Sequence, residues 1–587
     1  MTTLTTIPHT HQWGSEGAAT QRVEQFLTTV IDNDLISQHP TIWLHMKSTE
    51  ELLAAAHGVE ERLRAGENLP LAGTIFGVKD NIDVAGLPTT AGHPDVHRIA
   101  HTSASVVTRL ENAGAIVVGK TNLDQFATGL TGARSGFGPV RSAVFPDRIS
   151  GGSSSGSAAA VGHAMVDFAL GTDTAGSGRI PAAFNNIVGI KPTLGLVAKD
   201  HVIPACVSFD AVTVLAPTLT TATQVLSHMI GTNLNDPTGR TWPTTTRLTA
   251  PKNPHIAVPD DATLGALSPE TRALFTNATN HLRNTGATIT SIDLSEFLTV
   301  AKMLYESALV AERAAAFHHH IAHRPQGTVN VVADIADRGA QFSAIEYLHA
   351  QDDLTAAKAR LTARLASIDA LLIPTAPRHP TLEETLNNPA AVNTEMGTFT
   401  NFMNLLDLAG VAVPWGTTHE GAFGVTVVTK PFDDQVGIDI AAQLTGDTPP
   451  TLTQPATRIV VFGAHRTGQP LHHQLTNLGA RYHGTVTTSA GYRMLALPAH
   501  NGLPARPAII PATDGTNITG EEWLITPTAL GTLATQIAAP LALGHITLNT
   551  GRSVLGFTAA GTPTGLDITH HKDWVAYLTS NNNTLAV

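Results

Sequence analysis

The chain has 587 residues, 42% hydrophobic and only 14% charged, a balance that excludes a disordered chain and leaves room for more than one domain-sized core. With 35 Lys and Arg against 47 Asp and Glu, its net charge of −12 argues against a nucleic-acid or anionic-membrane partner. The one cysteine, Cys206, excludes a disulfide framework and fits a reducing cytoplasm, and no run of about 18 apolar residues is present to cross a bilayer.

The first fourteen residues, MTTLTTIPHTHQWG, lack a basic stretch leading into an apolar core, so no secretory signal is expected. Residues 18–66 carry apolar residues at helical spacing and predict helix throughout. Residues 73–79 predict a short buried strand ending at Lys79, and residues 103–122 a helix, a glycine turn and a second strand. Residues 268–322 and 343–366 predict helices, with a less regular stretch, VNVVADIADRG, between them. Strands follow at 371–377 and 423–429, and residues 399–416 read as helix then strand. Apolar strands alternating with helices predict an α/β fold: a large, mostly parallel mixed sheet covered by helices. Residues 446–457, GDTPPTLTQPAT, read as a linker, which divides the chain into 1–445 and a smaller α+β domain at 458–587. The last eight residues, SNNNTLAV, are expected to fray.

Two Gly/Ser turns stand out, GGSSSGS at 151–157 and DTAGSG at 173–178. Alone the first would pass for a flexible linker, but it runs into an Ala-rich helix and the strand VDFALGTD, which brings the second turn back beside it. A serine nucleophile needs a base and backbone N–H donors aimed at the developing oxyanion. Lys79, at a strand end, suits the base if burial brings its pKa from about 10.4 toward 7–8. The ordered motifs GVKDNIDVAGLPTTAG, GKTNLDQFATG, GGSSSGSAAAV and DTAGSGRIPAA resemble the amidase signature family. That resemblance implies a Ser–cis-Ser–Lys centre: Ser177 as nucleophile, Ser153 as relay after a cis peptide bond, and Lys79 as base. It also implies an oxyanion hole at Thr174, Ala175, Gly176 and Ser177, flanking support from Asp173 and Arg179, and structural roles for Ser154 and Ser155.

Within that family the chain resembles the allophanate hydrolase subgroup. The wording of QFATGLTGARSGFGPVRS and DTAGSGRIPAAFNNIVGIKPT, the segment MLYESALVAER and the whole C-terminal part carry the likeness. It implies that Tyr305 and Arg313 bind substrate, with backbone contacts from Gly129 and Gly132. Arg suits an anionic substrate such as allophanate because its planar fork matches a carboxylate. On one continuous helix, however, positions eight apart are turned by about 80° and separated by about 12 Å, so both reach one pocket only if the helix bends. Two stretches depart from the subgroup. RSGFG (134–138) stands where RSPYG is usual, and AKDHVIPACVSFD (198–210) has Val207 where an Arg is usual, with Lys199 nearby. The resemblance further implies a homodimer, no cofactor, and a biotin-dependent urea carboxylase as upstream partner, with cyanuric acid breakdown as a second source of substrate. For the C-terminal domain it implies either a later decarboxylation step or assembly, with His465 as the candidate residue. The 28 histidines show no metal-ligand spacing and read as compositional bias; HHH at 318–320 spreads over different helix faces.

Overall fold

Long apolar runs bounded by Gly and Pro become strands buried on both faces, the pattern of a sheet sandwiched between helices. In this computed structural model, residues 13–584 are described apart from 97, 453, 501 and 562, with side chains to residue 580. Most of the leader-like stretch and the last three residues of the tail therefore lie outside the described residues. The chain divides into two units, Met1–Thr241 with Lys252–Leu452, and Trp242–Pro251 with Thr453–Val587. The segment Trp242–Pro251, which the sequence places inside the first domain, groups with the second unit. There Leu248 N–H donates to the Gly479 carbonyl at 3.2 Å, and Thr528 Oγ1 lies 2.8 Å from Thr244 Oγ1.

The first unit holds β1 (Trp43–Met46), β2 (Ile75–Lys79), the short pair β3 (Pro88–Thr89) and β4 (Arg98–Ile99), and β5 (Ile116–Thr121). It continues with β6 (Phe168–Asp173), β7 (Val188–Lys191), β8 (Ala211–Ala216), β9 (His255–Pro259), β10 (Thr288–Ile292), β11 (Ala370–Pro374), β12 (Ala409–Thr418) and β13 (Gly421–Thr429). Eleven of these form one sheet in the order β1-β5-β2-β6-β8-β7-β12-β13-β11-β9-β10. The sheet is mixed, as expected, but not mostly parallel. Parallel pairing joins β5 to β2, β2 to β6, β11 to β9 and β9 to β10; the other neighbours run antiparallel. Runs buried on both faces, such as β6 and β8, carry no alternation, so their residues do not reveal strand direction.

Local differences have similar causes. Residues 18–66 are not helical throughout, because β1 interrupts them and pairs with β5 along the sheet edge. β10, TITSI, is a mostly exposed edge strand whose polarity hides it among the helices at 268–322. VNVVADIADRG is not irregular: Asn330–Gly339 is a helix that buries Val332, Ala333 and Ala336 on one face. MLYESALVAER is two helices: Ser295–Glu306 ends, Ser307 is extended with its Oγ accepting from Leu309 N–H, and a second helix runs Ala311–Ile321.

In the second unit β14 (Thr457–Val461), β15 (Arg481–Thr487), β18 (Thr519–Ile525), β19 (Leu541–Thr547) and β20 (Ser553–Ala559) form a sheet ordered β15-β18-β14-β20-β19. A smaller sheet joins β17 (Arg506–Pro511), β16 (Tyr492–Leu497) and β21 (Leu566–Asp567). Val460, Met494, Ile509 and Trp574 lie in one of its cores. Among the described residues no helix is long and apolar enough to cross a membrane.

Candidate active site

The parallel register of β2 and β6, with Val78 opposite Leu170, sets their C-terminal ends side by side. Ligands of α/β sheets gather at such ends. Lys79 closes β2, and β6 runs out at Asp173 into the second Gly/Ser turn. The first Gly/Ser turn leads into the helix Ser155–Gly162, which lies over the same strands, and the peptide between Gly152 and Ser153 is cis. The two turns are laced together. Ser154 N–H donates to the Ser177 carbonyl at 3.2 Å, and Ser154 Oγ donates to the Thr172 carbonyl at 3.1 Å and accepts from Thr172 N–H. Ser157 Oγ donates to Leu170 O at 2.8 Å. These serines do structural work in the turn and in the helix it opens.

Lys79 Nζ lies 2.7 Å from Ser153 Oγ and 2.7 Å from Thr172 Oγ1. The side chain is fully buried, and burial pushes its pKa down to about 7 against the opposing pull of Asp124, Asp173 and Asp210. Near neutral pH the amine is thus divided between base and acid forms, which suits proton shuttling. The Ser177 hydroxyl donates to the Gly129 carbonyl over a long 3.4 Å. No hydrogen bond joins Ser153 and Ser177 among the described residues, so the relay is closed only on its lysine side. Catalytic contacts often tighten only around a bound substrate.

Asp173 builds the second Gly/Ser turn, which carries Ser177. Its carboxylate accepts from Gly176 N–H (2.9 Å), Gly178 N–H (3.0 Å), and Arg179 Nε and Nη2 (3.0 and 2.8 Å). Burial alone would raise the Asp173 pKa, but the Arg179 charge and these donors outweigh it and hold it low. Gly176, expected in the oxyanion hole, gives its N–H to Asp173, which leaves the amides of Thr174, Ala175 and Ser177 as candidates. Gly176 also has a φ of +133°, and a Cβ there would stand 2.4 Å from Thr400 Oγ1, so no other residue fits.

Three residues overlooked in the sequence shape the site. Asp124, in the NLDQF motif, accepts from Gly132 N–H at 3.0 Å and Arg134 N–H at 2.7 Å and packs on Gly152, where a Cβ would come within 2.0 Å of it. Gly132, expected to contact substrate, has its N–H engaged there and its carbonyl accepting from Val140 N–H. Asp210 accepts from Thr174 Oγ1 at 2.5 Å and from the amides of Ala205 and Cys206, tying the turn to the loop at 204–210. Asn404 donates to the Asp173 and Phe209 carbonyls and accepts from Arg179. Asp124 and Asp210 both lie in stretches that could have flagged them, NLDQF and the end of AKDHVIPACVSFD; Asn404 lies in neither.

The break at Ser307 brings Tyr305 and Arg313 together. The Arg313 guanidinium lies 4.3 Å from the centre of the Tyr305 ring. Arg313 is fully buried and pairs with neither Glu306 nor Glu312. Its Nη1 donates to Cys206 Sγ at 2.9 Å, while Nε and Nη2 have no hydrogen-bond partner among the described residues. Cys206 therefore has a role in holding this arginine, and burial raises its thiol pKa and keeps it protonated. Val207 is exposed, and Lys199 Nζ donates to the carbonyls of Val207 and Asp210, so the lysine clamps this loop. Tyr305 lines a cavity of about 500 Å3 together with Arg134, Asn393, Gly397 and Asn401. Asn393 Oδ1 accepts from Leu130 N–H, next to the Gly129 carbonyl that Ser177 touches.

His465 is mostly buried in the second unit, 2.8 Å from Gln474 Oε1 and 4.7 Å from the Phe557 ring centre. Burial lowers its pKa. His472 and His473 open a short helix, and His472 packs edge-on to Trp523. His318 pairs with Asp337 at 2.9 Å while His320 stacks on Phe126, two faces of one helix.

A buried lysine hydrogen-bonded to one serine, beside a second serine on a turn of backbone amides, is the apparatus of a lysine-dependent serine hydrolase. Comparison with known proteins narrows this. The profile "Amidase" matches residues 30–436, and the profile "Allophanate hydrolase C-terminal domain" matches 457–579. The chain is 34% identical to the urea amidolyase of Saccharomyces cerevisiae over 96% of its own length and 32% of that protein's. It is also 36% identical to the Lachancea kluyveri enzyme of that name over 87% and 30%, so it spans about a third of these relatives. The Kluyveromyces lactis allophanate hydrolase structure superposes with a TM-score of 0.83 and 33% identity, covering 97% of this chain and all of that one. The chain belongs to the amidase family, in its allophanate hydrolase branch.

Proposed function

We propose that this chain hydrolyses allophanate to ammonia and CO2. The observation that carries the substrate is Arg313: a buried guanidinium with no ion pair among the described residues, tied through Cys206 and Asp210 to the turn at Thr174, fits an anion with an amide carbonyl. In this scheme Lys79, neutral, takes the Ser177 proton through Ser153. Ser177 Oγ then attacks the terminal amide carbonyl, with the amides of Thr174, Ala175 and Ser177 facing the oxyanion. The C–N bond breaks, ammonia leaves with the relayed proton, and water cleaves the acyl-enzyme to N-carboxycarbamate. That product loses CO2 and breaks down to ammonia and a second CO2. The test is ammonia release from freshly prepared allophanate, biuret, malonamide and glutamine. Allophanate should be the best substrate, and Ser177→Ala should abolish release; a preference for a neutral amide would replace this reading with another small-amide hydrolase.

The remaining readings are proposals on the same footing: a cytoplasmic homodimer of domains 1–445 and 458–587, supplied by urea carboxylase. The urea amidolyase name of the relatives supports a place in urea breakdown. For the second unit we propose a step on the released product. His465 and Arg506 line one small cavity, and among the described residues the buried Arg506 side chain donates only to the Pro504 carbonyl. His465→Ala should leave the first ammonia unchanged and delay the second. Two ammonia at wild-type rate would favour an assembly role.

A further inference from the structure

Four arginines in the first unit are buried: Arg22, Arg134, Arg179 and Arg313. Two carry a carboxylate each, Asp167 on Arg22 at 3.0 Å and Asp173 on Arg179 at 2.8 Å. The other two form no ion pair among the described residues, and both belong to the region of Tyr305. A buried cation without a counter-charge is costly, so chains keep one where a ligand supplies the charge.

Arg134 is the more exposed of these two to the cavity. Its Nη1 donates to the Thr128 carbonyl at 3.3 Å and its Nη2 to the Pro389 carbonyl at 2.9 Å, while Nε has no partner among the described residues. It lines the 500 Å3 cavity itself, whereas Arg313 does not line it and stacks on the Tyr305 ring. At the rim, Arg338 donates to the Tyr305 carbonyl and Asp334 is paired with Arg324 at 2.7 Å. Of the nearby acids, Asp334 is thus engaged, Glu306 is an exposed member of the lining, and Asp124 accepts from the Gly132 and Arg134 amides rather than from the Arg134 guanidinium.

We propose that Arg134 is a second specificity-determining cation, which selects a carboxylate-bearing substrate in the cavity while Tyr305 and Arg313 grip it. The inference rests on the reading of this site as one for an anionic amide. Kinetics on allophanate and on neutral biuret test it. In Arg134→Gln, KM for allophanate should rise about tenfold or more, with kcat within about threefold and biuret little changed. Equal losses on both substrates would show that Arg134 merely holds the Thr128 and Pro389 carbonyls and would overturn the proposal. So would an unchanged allophanate KM. If Arg134→Gln does not fold, Arg134→Lys decides. It keeps the charge but cannot span both carbonyls, so a charge role predicts an allophanate KM near wild type, and a loop-holding role predicts loss on both substrates. Wild-type enzyme that takes biuret as readily as allophanate would overturn the anionic reading as well; a wild-type preference for allophanate that survives in Arg134→Gln overturns only the role of Arg134.

Discussion

The turn that carries Ser177 and the Tyr305 pocket are built on opposite plans. Around Asp173 a carboxylate accepts from Gly176, Gly178 and Arg179, and Asn404 clamps its carbonyl from behind. Around Arg313, two guanidinium nitrogens are buried with no hydrogen-bond partner among the described residues. The first region is complete within the protein and fixes geometry for any amide. On the proposed reading the second is completed by a ligand and so defines which amide. Chemistry and specificity are therefore separable, and mutations should divide along the same line.

The largest effect is expected at Lys79. Lys79→Met should lower kcat/KM by more than about a thousandfold on every substrate, because the relay loses its base. In wild type, kcat/KM should fall as pH drops through about 7, where Lys79 gains its proton. The stability sign follows from the same shift. Between about 7 and the unfolded value of 10.5 the unfolded chain binds more protons, so stability rises with pH across that window, and the charging cost is fully present below it. Lys79→Met removes this dependence and should melt higher than wild type at pH 7, as measured by Tm. Parallel Tm–pH curves for the two proteins would break this account.

Asp173→Asn comes next. It leaves buried Arg179 without its counter-charge and should cost about 3–5 kcal/mol in stability, measured by urea denaturation, and weaken turnover of charged and neutral substrates alike. The smallest and most selective effect belongs to the pocket. Arg313→Met should raise KM for allophanate by about ten- to a hundredfold, with biuret much less affected. If Arg313→Met instead harmed both equally, the two regions would not be separable.

Legibility in the sequence followed the same division. Lys79, Ser153 and Ser177 sit in contiguous motifs where glycines allow close backbone approach, so short runs of residues reveal them. In the pocket, Tyr305 and Arg313 were legible only through the likeness of MLYESALVAER; Arg134 and Asn393, far away in the chain, were not, and the joint at Ser307 is marked by no Gly or Pro. Cys206 looked incidental because its partner lies 107 residues away, and Asp210 because its link to Thr174 crosses two elements. Strand direction was hidden for a different reason: a strand buried on both faces reads the same whether its neighbour is parallel or antiparallel.

The break at Ser307 also bears on how this scaffold can change. The ring of Tyr305 and the guanidinium of Arg313 belong to separate helices joined by the extended Ser307 and a short turn of helix at Ala308–Val310. Lengthening or shortening that joint by a residue would turn one partner away from the other while leaving β2, β6 and both serine turns untouched. A library confined to residues 306–311 would therefore vary the accepted substrate on an unchanged engine, and offers a compact starting point for redirecting the enzyme to uncharged amides.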